Sequence, residues 1–132
     1  MTRRPEQILH RQAARFLETV LGSDSWFAHI PMGAYRTPAE GGILKALGAK
    51  AGTPDLLIIH AGRAYWIELK APPKTLASGR PSQEKASLSQ TQIETSAEIE
   101  AAGSPVAVCR SLVEIQAALT KWGVPMRGKV AA

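Results

Sequence analysis

From Gly52 to Lys74 the chain reads GTPDLLIIHAGRAYWIELKAPPK. Two runs rich in aliphatic and aromatic residues, DLLIIH and AYWIELK, flank the short AGR. This pattern predicts two antiparallel strands joined by a tight turn. Strands as apolar as LLII and YWI belong at the centre of a sheet, with other elements packed on them, rather than at a solvated edge. The rest of the chain must therefore supply covering helices and further strands.

It does so in order. Residues 5 to 21, PEQILHRQAARFLETVL, repeat apolar positions at helical spacing, with Pro5 suited to the first turn. GSDS ends this helix, and WFAHIP is a short strand. In TPAEGGILKALG, Thr37 is placed as N-cap, Pro38 at the first helical position and Glu40 as the closing member of a capping box, with Gly48 as the stop. Residues 71 to 87 have loop composition and are long for a loop in a compact domain. SLSQTQIETSAEIEAAG is a helix capped by Ser89 and stopped by Gly103. PVAVCR is a buried strand, and SLVEIQAALTKWG a last helix capped by Ser111. The tail from about residue 124 is expected to fray. The predicted order is α-β-α-β-β-α-β-α, a single α/β domain over 1–132 with a mixed sheet of about four strands flanked by helices.

At 132 residues the chain fits one domain, and its 45% hydrophobic content supports a real core. Sixteen Lys and Arg against 11 Asp and Glu give a formal charge of +5, weak support for a polyanionic partner. The single cysteine, Cys109, excludes an intramolecular disulfide and any Cys-rich zinc site, and it is expected as a core thiol. The basic start MTRRPEQILHRQ has no apolar signal region, and no run approaches a membrane span. A soluble protein of a reducing cytoplasm is expected.

The hairpin carries charges that its core role does not require. Alternation puts Trp66, Glu68 and Lys70 on one face of the second strand and Tyr65, Ile67 and Leu69 on the other. Glu68 and Lys70 then stand about 7 Å apart along the strand. Counting outwards from the turn brings Asp55 beside them. Two adjacent carboxylates resist joint ionisation, and a divalent cation relieves the repulsion. Mg²⁺ takes one or two carboxylates and keeps waters, leaving room for a phosphate and an attacking hydroxide. A nearby lysine can orient the water or offset charge on the phosphate. Two readings stay open at this point: a surface strand end with a Glu–Lys pair, or a site for metal-assisted phosphodiester hydrolysis.

At these residues the chain resembles a known family. TPD and ELK, 12 residues apart, match the PD-(D/E)xK nuclease motif. The match extends through HIPMGAYRTPAEGGILKALGAKAGTPDLLI, YWIELK, LSQTQ and GSPVAVCRSLVE. These segments look like the VRR-NUC (virus-type replication-repair nuclease) subgroup, especially its stand-alone phage and bacterial members. The resemblance spans nearly the whole chain. It implies a restriction-endonuclease-like core and a homodimer acting on branched DNA such as four-way (Holliday) junctions, in a bacterial or phage-infected cytoplasm. It implies Mg²⁺ or Mn²⁺ on Asp55, Glu68 and the Leu69 carbonyl, with Lys70 as catalytic lysine and Gln92 as the helix glutamine near the site. Glu6 matches a glutamate of the family's first helix near the metal. Met32 departs from the asparagine often found there.

The supporting residues have plainer readings too. Ser89 and Gln92 make a capping box, and Glu6 is a first-turn acid favoured by the helix dipole. His10 lies one turn after Glu6 on the same face, from which it could reach the site, with a solvated or locally bonded ring as the expectation. His29 and His60 show no metal spacing with it. Arg36, Lys50, Lys74 and Arg80 are the leading phosphate contacts. Such contacts are insensitive to sequence and weakened by salt.

Overall fold

The computed structural model describes residues 5–32, 37–82 and 87–128. Its elements run α1 (Pro5–Val20), β1 (Ser25–His29), α2 (Pro38–Ala46), β2 (Leu56–His60), β3 (Arg63–Leu69), α3 (Gln90–Ala101), β4 (Val106–Cys109) and α4 (Leu112–Trp122). This is the expected α/β order. The four strands form one mixed sheet in the order β1-β2-β3-β4, antiparallel except for the parallel β3–β4 pair. The apolar hairpin β2–β3 occupies its centre.

Register decides which face each side chain takes. Leu56 pairs with Ile67 and Ile58 with Tyr65. These four, with Leu69 and Cys109, are buried with Leu9, Ala13 and Leu17 of α1 and Ile115 and Leu119 of α4. The core therefore lies between one sheet face and the α1–α4 layer. Tyr65 also stacks on Trp122, with ring centroids 5.1 Å apart. Burial, with the Glu114 charge adding to it, pushes the Cys109 thiol up to about 12, so it stays a neutral core group.

The caps are where the sequence puts them. The Thr37 hydroxyl accepts from the Glu40 N–H at 3.2 Å, and the Ser111 hydroxyl accepts from the Glu114 N–H at 3.2 Å. Three expectations need correction. The turn is Ala61-Gly62 alone, since Arg63 pairs with His60. Both turn residues have positive φ, 51° and 76°, as a two-residue turn matched to strand twist requires. β4 is an edge strand, buried only at Cys109, with Val108 exposed. The segment after 124 does not fray as far as Arg127. Val124 is buried, Met126 bridges to Leu21, and the Arg127 N–H donates to the Val20 carbonyl at 2.7 Å.

The 71–82 stretch is also more ordered than its composition suggests. Thr75 bridges to Pro81, and the Leu76 N–H donates to the Arg80 carbonyl at 2.8 Å. By contrast, α2 buries no residue, and Ile43 and Leu47 stand exposed on it.

Candidate active site

The site forms where the central hairpin opens, at the end away from its turn. Pro54 is fully buried and delivers Asp55 to the start of β2. Extending the Leu56–Ile67 pairing by one residue sets Asp55 opposite Glu68. Asp55 Oδ2 accepts the Leu69 N–H at 2.7 Å, which holds the carboxylate across the strand gap. Its backbone carbonyl accepts the Ile30 N–H at 2.7 Å and lies 3.0 Å from His29 Nδ1.

Glu68 is unusual for a strand carboxylate. It is only 3% exposed, and among the described residues no donor reaches its Oε2. Its Oε1 accepts from Gln92 Nε2 at 3.3 Å, and its carboxyl stands within hydrogen-bonding reach of the Asp55 carboxylate. Burial first, then the hydrogen bond to Asp55 and its charge, push the Glu68 pKa from 4.5 up to about 9, with the Glu6 charge adding and Lys70 opposing. Without a cation, Glu68 therefore holds a proton at neutral pH. Lys70 follows β3 directly and is half-buried, with its N–H donating to the Cys109 carbonyl at 3.1 Å.

Gln92 closes its helix cap and also reaches the Glu68 carboxyl. Its Oε1 accepts the Ser89 N–H at 2.9 Å while the Ser89 hydroxyl accepts the Gln92 N–H at 3.1 Å, closing the capping box. Its amide nitrogen remains free to reach Glu68. A close approach behind it sets the helix in place. Gly52 has φ +78°, and a Cβ there would stand 2.5 Å from the Thr91 carbonyl oxygen. The Thr95 hydroxyl donates to the Ala51 carbonyl at 2.7 Å. Gly52→Ala is expected to destabilise the fold by about 1–3 kcal/mol through strained φ and this clash. Chemical denaturation checks it, and an unchanged midpoint would show that α3 can shift freely.

The histidines fall differently from expectation. His10 Nε2 lies 3.8 Å from Asp55 Oδ1, and its ring meets His29 edge-on at 5.2 Å. His10 thus stands beside the site, partly exposed. With Glu6, Gln7, Arg11, Pro31 and Asp55, the two rings line an open cleft of about 600 Å³. Glu6 reaches this cleft as an exposed first-turn acid. The sequence signal was the four-residue step from Glu6 to His10. His29 joins them only through β1–β2 pairing.

The expected phosphate contacts scatter. Lys50 lines a separate cleft with Lys45, Thr95 and Glu98. Lys74 and Arg80 are exposed on the loop that leaves the site after Lys70. Arg36 lies outside the described residues.

The donor set suits a hard divalent cation. Two carboxylates, one oxygen of them buried with no donor in reach among the described residues, match an ion that takes few protein oxygens and keeps its waters. Among the described residues no three His, Cys, Asp or Glu side chains form a ready cage. Among them, too, no helix is long and apolar enough to cross a membrane. Comparison with family models, curated proteins and solved structures returned no match.

Proposed function

We propose that this chain is a divalent-metal-dependent DNA endonuclease of the VRR-NUC type, hydrolysing phosphodiesters in branched DNA. The observation that carries the reading is Glu68: a buried carboxyl with an oxygen that no donor among the described residues reaches, set against a second acid and a lysine. Packing a buried carboxyl against a second one disfavours its ionised form, and a buried polar atom that no donor reaches costs about 1–3 kcal/mol. The cost is explained if the protein's working state contains a cation.

Asp55 and Glu68 would hold Mg²⁺ or Mn²⁺, with the Leu69 carbonyl as a further oxygen and Glu6 at the rim. The ion, when bound, supplies a water of lowered pKa and offsets charge on the phosphate. The chain's own residues do the positioning. The Leu69 N–H fixes Asp55, and the Gln92 amide fixes Glu68. Lys70 would present its ammonium to the water or to the phosphate oxygens; the water's oxygen bonds to phosphorus as the bond from phosphorus to the sugar oxygen breaks, and the proton lost by the water reaches the departing oxygen through solvent. The resemblance carries the reading of the chain as a homodimer in a bacterial or phage-infected cytoplasm.

A nuclease of ordinary duplex or flap ends shares this chemistry. A catalytically silent DNA-binding module would tolerate loss of an acid or the lysine, whereas Asp55, Glu68 and Lys70 are all present in this sequence. The test is incubation with duplex, flap, single-stranded and four-way DNA, with and without Mn²⁺, at two salt concentrations. Metal-dependent cleavage that is strongest on a branched substrate is expected. Salt-sensitive binding without cleavage of any substrate would instead establish the silent module.

A further inference from the structure

Arg11 lines two depressions. One is the cleft beside Asp55; the other is a groove of about 410 Å³ along the outer face of α1, shared with Ile8, Gln12, Arg15, Phe16 and Leu112. Arg11 thus stands between the site cleft and a second depression on the same helix. Among the described residues no acid lines the groove, and Glu6 and Asp55 are the acids lining the cleft. Arg11 and Arg15 are both exposed, and among the described residues neither forms an ion pair. Four residues apart on a helix, they stand one above the other, separated by about 6 Å of rise. Between them the floor is apolar: Ile8 is 43% exposed, and Phe16 and Leu112 are half-buried.

A duplex offers such a surface only its backbone, because its bases are stacked inside. An unpaired strand offers phosphates to the arginines and a base face to the apolar floor. We infer that the α1 groove binds a single-stranded arm of the DNA substrate, leading it to the phosphate at Asp55 and Glu68. The inference rests on the nuclease reading and, within it, favours the flap alternative over a fully paired four-way junction. The preferred DNA carries an unpaired branch next to the cleaved bond.

The test separates binding from cleavage. Wild-type protein and the double variant Arg11→Gln with Arg15→Gln are titrated into fluorescein-labelled oligothymidylate of about 16 nucleotides. A blunt duplex of equal length is titrated in parallel, both in EDTA, with anisotropy as the readout. Both substitutions are on exposed positions, and circular dichroism verifies the fold. The variant is expected to bind the single strand roughly ten-fold more weakly. Its salt dependence should be shallower by about 1.4 in the log–log slope, two phosphate contacts at single-strand density. Duplex binding should change much less. Equal single-strand binding by variant and wild type overturns the groove assignment, whatever the cleavage assay shows. So does an equal loss for both probes, which would mark the arginines as general charge. A shift in sedimentation with no change in DNA binding would make the groove a contact between copies and overturn it as well. Failure of the wild type to cleave any DNA with Mn²⁺ would instead overturn the nuclease reading, leaving the anisotropy result to stand by itself.

Discussion

Glu68→Gln is expected to make the metal-free protein more stable at neutral pH while abolishing cleavage. Most core substitutions destabilise. This one removes a carboxyl whose charged form the fold opposes. The pH dependence follows from the raised pKa, about 9 against an ordinary 4.5. Below the ordinary value the carboxyl is protonated in both folded and unfolded chains, and no penalty exists. Between the two values the unfolded chain releases a proton that the folded chain keeps. Stability therefore falls as pH rises through this window, by up to about 1.4 kcal/mol per unit. Above the folded value both states are ionised and the penalty is constant. Glutamine keeps the acceptor for Gln92 and has no charge to lose. It should raise metal-free stability by roughly 1–3 kcal/mol near neutrality and flatten this slope. Thermal melts across pH check it. A variant that melts lower than wild type at every pH would mean that Glu68 serves the fold rather than a cation.

Lys70→Ala is the second large effect. Lys70 is half-buried and belongs to no core cluster, so the fold should survive. Its charge is the one that lowers the Glu68 pKa. Loss of a preorganised positive group beside a reacting phosphate costs roughly 10²–10³ in rate. Binding of DNA without metal should change by no more than one phosphate contact. Single-turnover cleavage of a branched substrate with Mn²⁺ checks the prediction. Unaltered cleavage would remove Lys70 from the chemistry.

The central hairpin was legible because alternation and turn length are local. Tyr65, Ile67 and Leu69 face the core, and Glu68 faces away from it, as period two demands. The caps at Thr37, Ser89 and Ser111 were equally local. Pairing was not. The approach of His29 to His10 and Asp55 needs β1 to lie antiparallel to β2, with His29 opposite Leu56. The edge position of β4 depends on a crossover through α3, so an apolar PVAVCR read as fully buried. The pinned tail depends on Met126 meeting Leu21 across the whole chain. The arginine groove could not be read either. Arg11 and Arg15 are ordinary helix-surface residues until α4 supplies Leu112 to the floor between them.

One titration tests the account most directly. Mn²⁺ is titrated calorimetrically into wild type and Glu68→Gln near pH 7.5, in two buffers of different ionisation enthalpy. A cation displaces protons from the groups that bind it. The account predicts saturable binding by the wild type with release of about one proton per ion, given up by Glu68, and loss of both in the variant. Absence of binding, or identical binding and proton release in the two proteins, would contradict it.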